Sequence, residues 1–236
     1  PQRGSVVTFS ITAADPATGA TGVAIASVFP SVGAVCPWAS EHVALSTQAW
    51  DSGADYGEPL LEMTARDISL ESAAAAVLDN RPGSAGTQLH GTEADGETYA
   101  YTGEKATEWA GHVVGDDHTA AGNTLAGEAV VTEMHEAFVD ADGPLAERLL
   151  TALTAGENAG GDKRGDNLSA AVLVHDPEPN LTHNMRVDQP GNPIDGLWDA
   201  YEVAREHTEA VDDPEEMAAE WGEGFEESIV DFQMRY

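Results

Sequence analysis

The amino-acid sequence predicts an α+β fold, a four-layer αββα sandwich in which two mainly antiparallel sheets are stacked and flanked by helix pairs. Strand patterns come in groups joined by short turns, which is typical of antiparallel sheets. Helical patterns come in pairs between these groups, so that each pair can cover the outer face of one sheet. Apolar residues make up 42% of the 236 residues, and neither an internal repeat nor a long linker divides them. We therefore expect one main domain.

The chain opens with a predicted β-hairpin. Residues 6–13 alternate in side-chain character, residues 20–28 form an apolar run, and the segment DPATGATG between them contains the residues that turns favour. Residues 42–50 interleave β-forming and polar residues, and they predict a third strand. The unusual feature is Thr8, a polar residue at the head of the first strand.

Residues 56–80 have helical periodicity and predict two helices in succession. Ser69 can cap the second helix, because a serine hydroxyl accepts a hydrogen bond from a free N–H of the first turn. Residues 87–103 then predict a strand, a turn and a returning strand, with the turn at the segment ADGE.

The second half of the chain predicts a strand, a helix pair, two further strands and a final helix. Residues 118–127 are expected to leave a short strand and enter a helix through Asn123 and Thr124. The remaining predicted elements are helices at 126–140 and 143–156, strands at 168–176 and 182–189, and a helix at 193–207.

The charge of the chain is strongly negative, with 42 Asp and Glu against 10 Lys and Arg and a formal net charge of -32. The acidic residues are spread along the whole chain. We interpret them as a solvated halophilic surface, because molar salt shortens the Debye length to about 3 Å and screens their repulsion. Binding to a basic partner is the alternative. Nucleic acid and anionic membranes are disfavoured as partners, since phosphate contacts need Lys and Arg.

Cys36 is the only cysteine, so no intrachain disulfide can form, and its apolar neighbours predict a buried thiol. Without a membrane-length apolar run or a signal-peptide pattern, we expect a cytoplasmic protein. The acidic tail at 209–236 places four apolar side chains on one helical face. This face can pack on its own domain or, as we favour, in a homo-oligomer. The four residues are Trp221, Phe225, Ile229 and Phe232.

Four groups of polar residues interrupt predicted strands or turns and are candidate sites. Glycine-rich nucleotide loops, HExxH and CxxC motifs do not occur in the sequence, so we expect neither a metal nor a cofactor. His112 and His118 are spaced unsuitably for a helix face or a zinc site, and we expect them to lie in loops. The four groups are Thr8 with Ser10, Ser46 with Thr47 and Gln48, Asn123, and Asp162 with Lys163 and Arg164.

Each of these groups has a structural alternative. Gln48 can be a hydrogen-bonded amide inside the sandwich, and Asn123 can be a helix cap. Asp162 and Arg164 can form a structural ion pair in a glycine-rich turn.

The segments that carry these residues resemble the DUF1028 family, and they occur in the family's order. DUF1028 proteins are assigned to the N-terminal-nucleophile (Ntn) hydrolase-like fold, so the resemblance implies the αββα sandwich. It indicates a haloarchaeal-type member with an extension at 1–7 and a domain at 8–208. The similar segments are TFSITAADPATGATGVAIAS, VGAVCPWAS, LSTQAW, AGNTLAG, GPLAERLLTALTAGENAGGDKRG and SAAVLV.

The resemblance also implies an activity, the hydrolysis of a small peptide-like or non-peptide amide. In Ntn hydrolases the first residue of the first strand is the nucleophile, and its own α-amine is the general base. Thr8 occupies that position. The candidates for the oxyanion donor and for substrate orientation are Asn123, Gln48, Asp162 and Arg164.

The chain departs from the family pattern at three places. Seven residues precede Thr8 and tie its amine into the Val7–Thr8 peptide bond, so the mechanism requires that this bond be cut. Val28 and His42 stand where many relatives carry a basic and a small residue, respectively. The alternative function is a non-catalytic, self-assembling or ligand-binding protein in which an uncut extension caps Thr8.

Overall fold

The structure is a computed structural model that describes residues 8–49, 54–177, 182–189 and 191–209. Within these ranges it contains five α-helices and ten strands. The helices are α1 (Ala54–Thr64), α2 (Leu70–Asn80), α3 (Ala129–Asp140), α4 (Leu145–Asn158) and α5 (Pro193–Glu209). The strands are β1 (Thr8–Asp15), β2 (Ala20–Ser27), β3 (Pro37–Ala39), β4 (Val43–Ala49), β5 (Thr87–Glu93), β6 (Thr98–Thr102), β7 (Ala110–Val114), β8 (His118–Asn123), β9 (Ser169–His175) and β10 (Thr182–Val187).

The strands form two sheets, and all their pairings are antiparallel. One sheet has six strands in the order β10-β9-β2-β1-β8-β7, and the other has four in the order β3-β4-β5-β6. The central strands β1, β2 and β8 face β4 and β5 of the second sheet. Helices α1 and α2 cover the four-stranded sheet, whereas α3, α4 and α5 cover the six-stranded sheet. The predicted α+β class with two antiparallel sheets is therefore confirmed, and α5 adds a third helix to one outer layer.

The alternating side chains of strand β1 explain why polar residues lie between the two sheets. Successive side chains of a strand point to opposite faces, so its residues divide into two sets. Phe9 and Ile11 pack into the apolar core beneath the helices. Thr8, Ser10 and Thr12 share the other face, and all three are fully buried. The second sheet covers this polar face, which therefore needs hydrogen-bond partners inside the protein.

Several local predictions are confirmed. The first hairpin and the hairpin of β5 and β6 form where the turn residues predicted them. Ser69 caps α2, and its hydroxyl accepts a hydrogen bond from the N–H of Ser72 at 3.4 Å. Cys36 is buried. The predicted extension at 1–7, Trp50 and the tail beyond Glu209 lie outside the described residues.

Two other local predictions are wrong. His112 and His118 do not lie in loops, because His112 is on β7 and His118 opens β8. Asn123 and Thr124 do not lead directly into a helix. Asn123 is the last residue of β8, and α3 begins six residues later at Ala129. Asn123 is therefore a sheet residue and not a helix cap. In the part of the chain that the structure describes, no helix combines the length and apolar character that crossing a bilayer requires.

Candidate active site at the start of the first strand

Thr8 is the first residue of β1, and its neighbours on both sides carry polar side chains. In the sheet register Thr8 lies opposite Ser27 of β2 and opposite Asn123 of β8. The Thr8 hydroxyl donates to Ser27 Oγ at 3.3 Å. Ser27 Oγ also accepts the N–H of Phe29 at 2.9 Å. Directly opposite residues in antiparallel strands share a face. Three polar side chains therefore meet at this end of the sheet.

The amide of Asn123 is held by Gln88, a residue on β5 that sequence reasoning missed. Asn123 Nδ2 donates to Gln88 Oε1 at 3.1 Å. Gln88 is in turn fixed by its own amide nitrogen, which donates to the carbonyl of Gly122 at 2.7 Å and to that of Gly111 at 3.1 Å. The oxygen of Gln88 therefore faces Asn123 and sets which end of the asparagine amide points toward it.

Gln48 on β4 contacts Ser10, the residue of β1 that follows Thr8 on the same face. Its oxygen accepts hydrogen bonds from Ser10 at 2.7 Å and from Ser46 at 3.0 Å. Its nitrogen donates to Gln88 Oε1 at 3.1 Å. Gln48 is thus a hydrogen-bonded amide between the sheets, and it is linked to Asn123 through Gln88.

His90 on β5 is the centre of this polar layer and was also missed from the sequence. The hydroxyl of Ser10 lies 2.7 Å from His90 Nε2, and the hydroxyl of Thr119 lies 2.8 Å from Nδ1. Because Ser10 donates its proton to the oxygen of Gln48, it must accept from His90, which assigns the Nε2–H tautomer. Thr119 then donates to Nδ1. Burial, with a smaller effect of His112, lowers the pKa of His90 to about 3, so this ring is neutral at pH 7.

Asp162 lies in the loop after α4 and forms an isolated bridge with Leu125, just beyond the end of β8. Its Oδ1 accepts the backbone N–H of Arg164 at 2.8 Å and lies 3.5 Å from Arg164 Nε. A hydrogen bond from the backbone N–H of Val28 also favours the ionised form of the carboxylate. Even so, burial dominates and raises the pKa of Asp162. Its side chain has no exposed surface, and its Oδ2 has no hydrogen-bond partner among the described residues.

Arg164 lies farther out than the other candidates. One third of its side chain is exposed, and it forms the predicted ion pair with Asp162. Lys163 points to a different partner, because its ammonium group donates to the carbonyl of Glu108.

The structure therefore brings Thr8 and Asn123 into register and places Asp162 beside the same end of the sheet. This end offers a hydroxyl, an amide donor and a carboxylate, which are groups suited to acyl-transfer chemistry. Among the described residues, no three His, Cys, Asp or Glu side chains cluster as metal ligands would.

These features define an α+β sandwich protein with a polar layer between its two antiparallel sheets. Residues 8–197 match the family of unknown function DUF1028, and the chain belongs to this family. The chain is also similar to the crystal structure of a DUF1028 protein from Silicibacter pomeroyi, with a TM-score of 0.78. The two are 34% identical over 84% of this chain and 86% of that chain. No curated protein matches the sequence.

Proposed function

We propose that the protein is an Ntn-type hydrolase of a small amide, with Thr8 as its nucleophile once the Val7–Thr8 bond has been cut. The observation that carries the proposal is the position of Thr8, which opens the central strand with its side chain between the sheets. The match to the family begins at the same residue. Two antiparallel sheets with helices on both outer faces also fit the Ntn hydrolase-like fold that the resemblance implies.

The chemistry requires a base, because a threonine hydroxyl is a weak nucleophile. A free α-amine has an ordinary pKa of about 7.7–8.0 and can accept the hydroxyl proton near neutral pH. Thr8 Oγ1 then bonds to the substrate carbonyl carbon and gives a tetrahedral oxyanion. Collapse breaks the C–N bond, the leaving amine takes the proton from the α-ammonium group, and water hydrolyses the resulting ester.

Asn123 is the best candidate for the oxyanion donor. It lies opposite Thr8 in the sheet, and one N–H of its side chain goes to Gln88. We assign its second N–H to the oxyanion. An amide that is already held in place can stabilise developing charge without reorganising, and the bond to Gln88 supplies that support.

A second candidate function is a non-catalytic scaffold that binds a ligand or assembles with itself. The observation that favours it is the complete burial of Thr8, whose hydroxyl already has a partner in Ser27. On this view the polar layer serves only to join the two sheets.

The deciding experiment compares the full chain with a chain that begins at Thr8, released from a fusion by a protease that leaves no extra residue. We expect the chain that begins at Thr8 to hydrolyse members of a panel of reactive amides and esters at least about 100-fold faster than the full chain. Within the shortened chain, Thr8→Ala should reduce hydrolysis to background, whereas Thr8→Ser should retain it. Circular dichroism checks that all four proteins fold. Equal background rates for the shortened and full chains across the panel would overturn the hydrolase and favour the scaffold.

A further inference from the structure

Asp162 lies near the end of the six-stranded sheet at which β1 begins, between the segments that follow β2 and β8. Strand β8 is antiparallel to β1 and ends at Asn123, which lies opposite Thr8, and Leu125 follows two residues later, after a left-handed backbone position at Thr124. The residue paired with Leu125 is Asp162. The N–H of Leu125 donates to the carbonyl of Trp109 on the β7 side at 3.0 Å. Asp162 is therefore on the other side of Leu125 from Trp109.

A contact with the segment that follows β2 supports the same placement. Ser27, the last residue of β2, lies opposite Thr8, and Val28 is the next residue along the chain. The N–H of Val28 interacts with the Asp162 carboxylate. Asp162 thus contacts the two chain segments that follow Ser27 and Asn123, the strand partners of Thr8.

Among the described residues, only one of the two oxygens of the Asp162 carboxylate has a hydrogen-bond partner. The side chain of Asp162 is completely buried and its Oδ2 has no hydrogen-bond partner among the described residues, whereas Arg164 contacts Oδ1. The other charged groups nearby are Glu157, whose carboxylate accepts a hydrogen bond from Asn167 at 2.7 Å, and Asp166. Both are acidic and add no positive charge. A buried carboxylate oxygen without a partner is costly, which points to a cationic occupant.

We infer that Asp162 binds the α-amino group of Thr8 after the Val7–Thr8 bond is cut. This inference rests on the proposed function, since only the cut creates that group. The α-ammonium ion is a cation that the cut creates at the start of β1. Asp162 is then a positioning residue. It holds the amine at the end of the strand, and it stabilises the ammonium ion that forms when the amine takes the proton from Thr8 Oγ1. Asp162 itself stays ionised throughout.

The test measures the pKa of the Thr8 α-amine directly and needs no known substrate. The chain that begins at Thr8 is labelled with ¹⁵N-threonine, and the ¹⁵N shift of the Thr8 amine is followed against pH at constant salt. We expect a pKa about one unit above the ordinary range of about 7.7–8.0. Asp162→Asn should lower it by about one unit. Asp166→Asn removes the same charge from an exposed position of the same loop and should leave it unchanged. One common pKa in all three proteins would overturn the inference.

A second measurement needs no substitution at Asp162 and covers the case in which that variant does not fold. The pKa of the Asp162 carboxyl is measured by ¹³C shift in the full chain and in the chain that begins at Thr8. We expect the value to fall when the α-ammonium group is created, and an unchanged value would contradict the inference. The two proposals fail separately. Shifted pKa values without hydrolysis would refute the hydrolase alone, and hydrolysis without shifts would refute the role of Asp162 alone.

Discussion

Ser10 of β1 and His90 of β5 meet across the space between the two sheets, with the serine hydroxyl 2.7 Å from the ring Nε2. The same hydroxyl donates to Gln48 on β4, so the side chain of Ser10 connects β1 with both β4 and β5. The amide nitrogens of Gln48 and Asn123 both donate to Gln88 Oε1, and Asn123 lies opposite Thr8. The polar layer that holds the sheets together therefore also orients the residue assigned to the oxyanion.

The first prediction concerns Ser10→Ala. Removing the hydroxyl leaves the His90 N–H without its partner and takes away one of the two donors to the oxygen of Gln48. An unsatisfied buried polar group costs about 1–3 kcal/mol, so we expect a loss of that order in the free energy of unfolding, measured with urea at constant KCl. Ser72→Ala, at an exposed position in the first turn of α2, is the matched control and should change stability by less than about 0.5 kcal/mol. Equal effects of both substitutions would contradict the assigned network.

The second prediction concerns pH and His90. Its native pKa is about 3, whereas an unfolded histidine titrates near 6.5. Between these values the unfolded state binds the proton and the native state does not, so stability is full above about pH 6.5 and falls as the pH is lowered. The slope from this residue is at most about 1.4 kcal/mol per pH unit.

The variant His90→Gln isolates this contribution, because glutamine retains a side-chain donor and does not titrate. His118 and His183, whose pKa values burial also lowers, remain in both proteins and cancel in the comparison. Urea unfolding at several pH values and constant salt should give a steeper loss of stability below pH 6.5 in the wild type. Parallel pH profiles would show that His90 does not remain neutral in the native state.

The third prediction concerns Asn123→Ala in the chain that begins at Thr8. Loss of one oxyanion donor typically lowers kcat about 10²–10³-fold, and we expect a loss of that size with little change in KM. Asn80→Ala is the matched control, because Asn80 is exposed at the end of α2 and donates only to the carbonyl of Ala76 among the contacts described. The measurement is steady-state kinetics on a panel substrate. A change in KM alone would place Asn123 in substrate binding instead.

The fourth prediction concerns salt. The formal net charge of -32 repels itself in dilute buffer, and the Debye length shrinks from about 10 Å at 0.1 M to about 3 Å at 1 M salt. We expect the thermal unfolding temperature to rise from 0.1 M to multimolar KCl when followed by far-ultraviolet circular dichroism. A melting temperature that does not depend on salt would contradict the halophilic interpretation.

The elements that the sequence predicted are those with local signals. The turn after β1 is set by Asp15, whose carboxylate accepts the N–H of Ala17 at 3.0 Å, and Ser69 marks the start of α2. Strand β7 had no such signal. It lies at a sheet edge, its side chains are half-buried or exposed, and Gly111 interrupts its pattern.

The polar layer was harder to predict for a different reason. In an isolated hairpin, alternate polar residues are expected to face water. Gln88 and His90 belong to such an alternating pattern on β5, but a second sheet lies on their side, and both are fully buried. His118 likewise contacts residues that are distant in the sequence. Its ring stacks on the His135 ring, with the ring centroids 4.9 Å apart, and packs on Phe138. Only the stacking of layers reveals these partners.

The candidate site was predicted in its parts but not in its arrangement. Thr8, Asn123 and Asp162 are each polar residues that interrupt a predicted strand or turn. Their common location depends on the pairing of β1 with β8 and on the bridge between Asp162 and Leu125. Both pairings join residues far apart in the chain, so periodicity and turn residues carry no information about them.

The most direct test of the central claim is the N-terminal sequence and intact mass of the protein purified from its native cells at high salt. The account predicts a mature chain whose first residues are Thr-Phe-Ser-Ile-Thr, with Thr8 bearing a free α-amine. A native chain that carries residues ahead of Thr8, with no fraction that begins there, would contradict the claim that Thr8 acts as an N-terminal nucleophile.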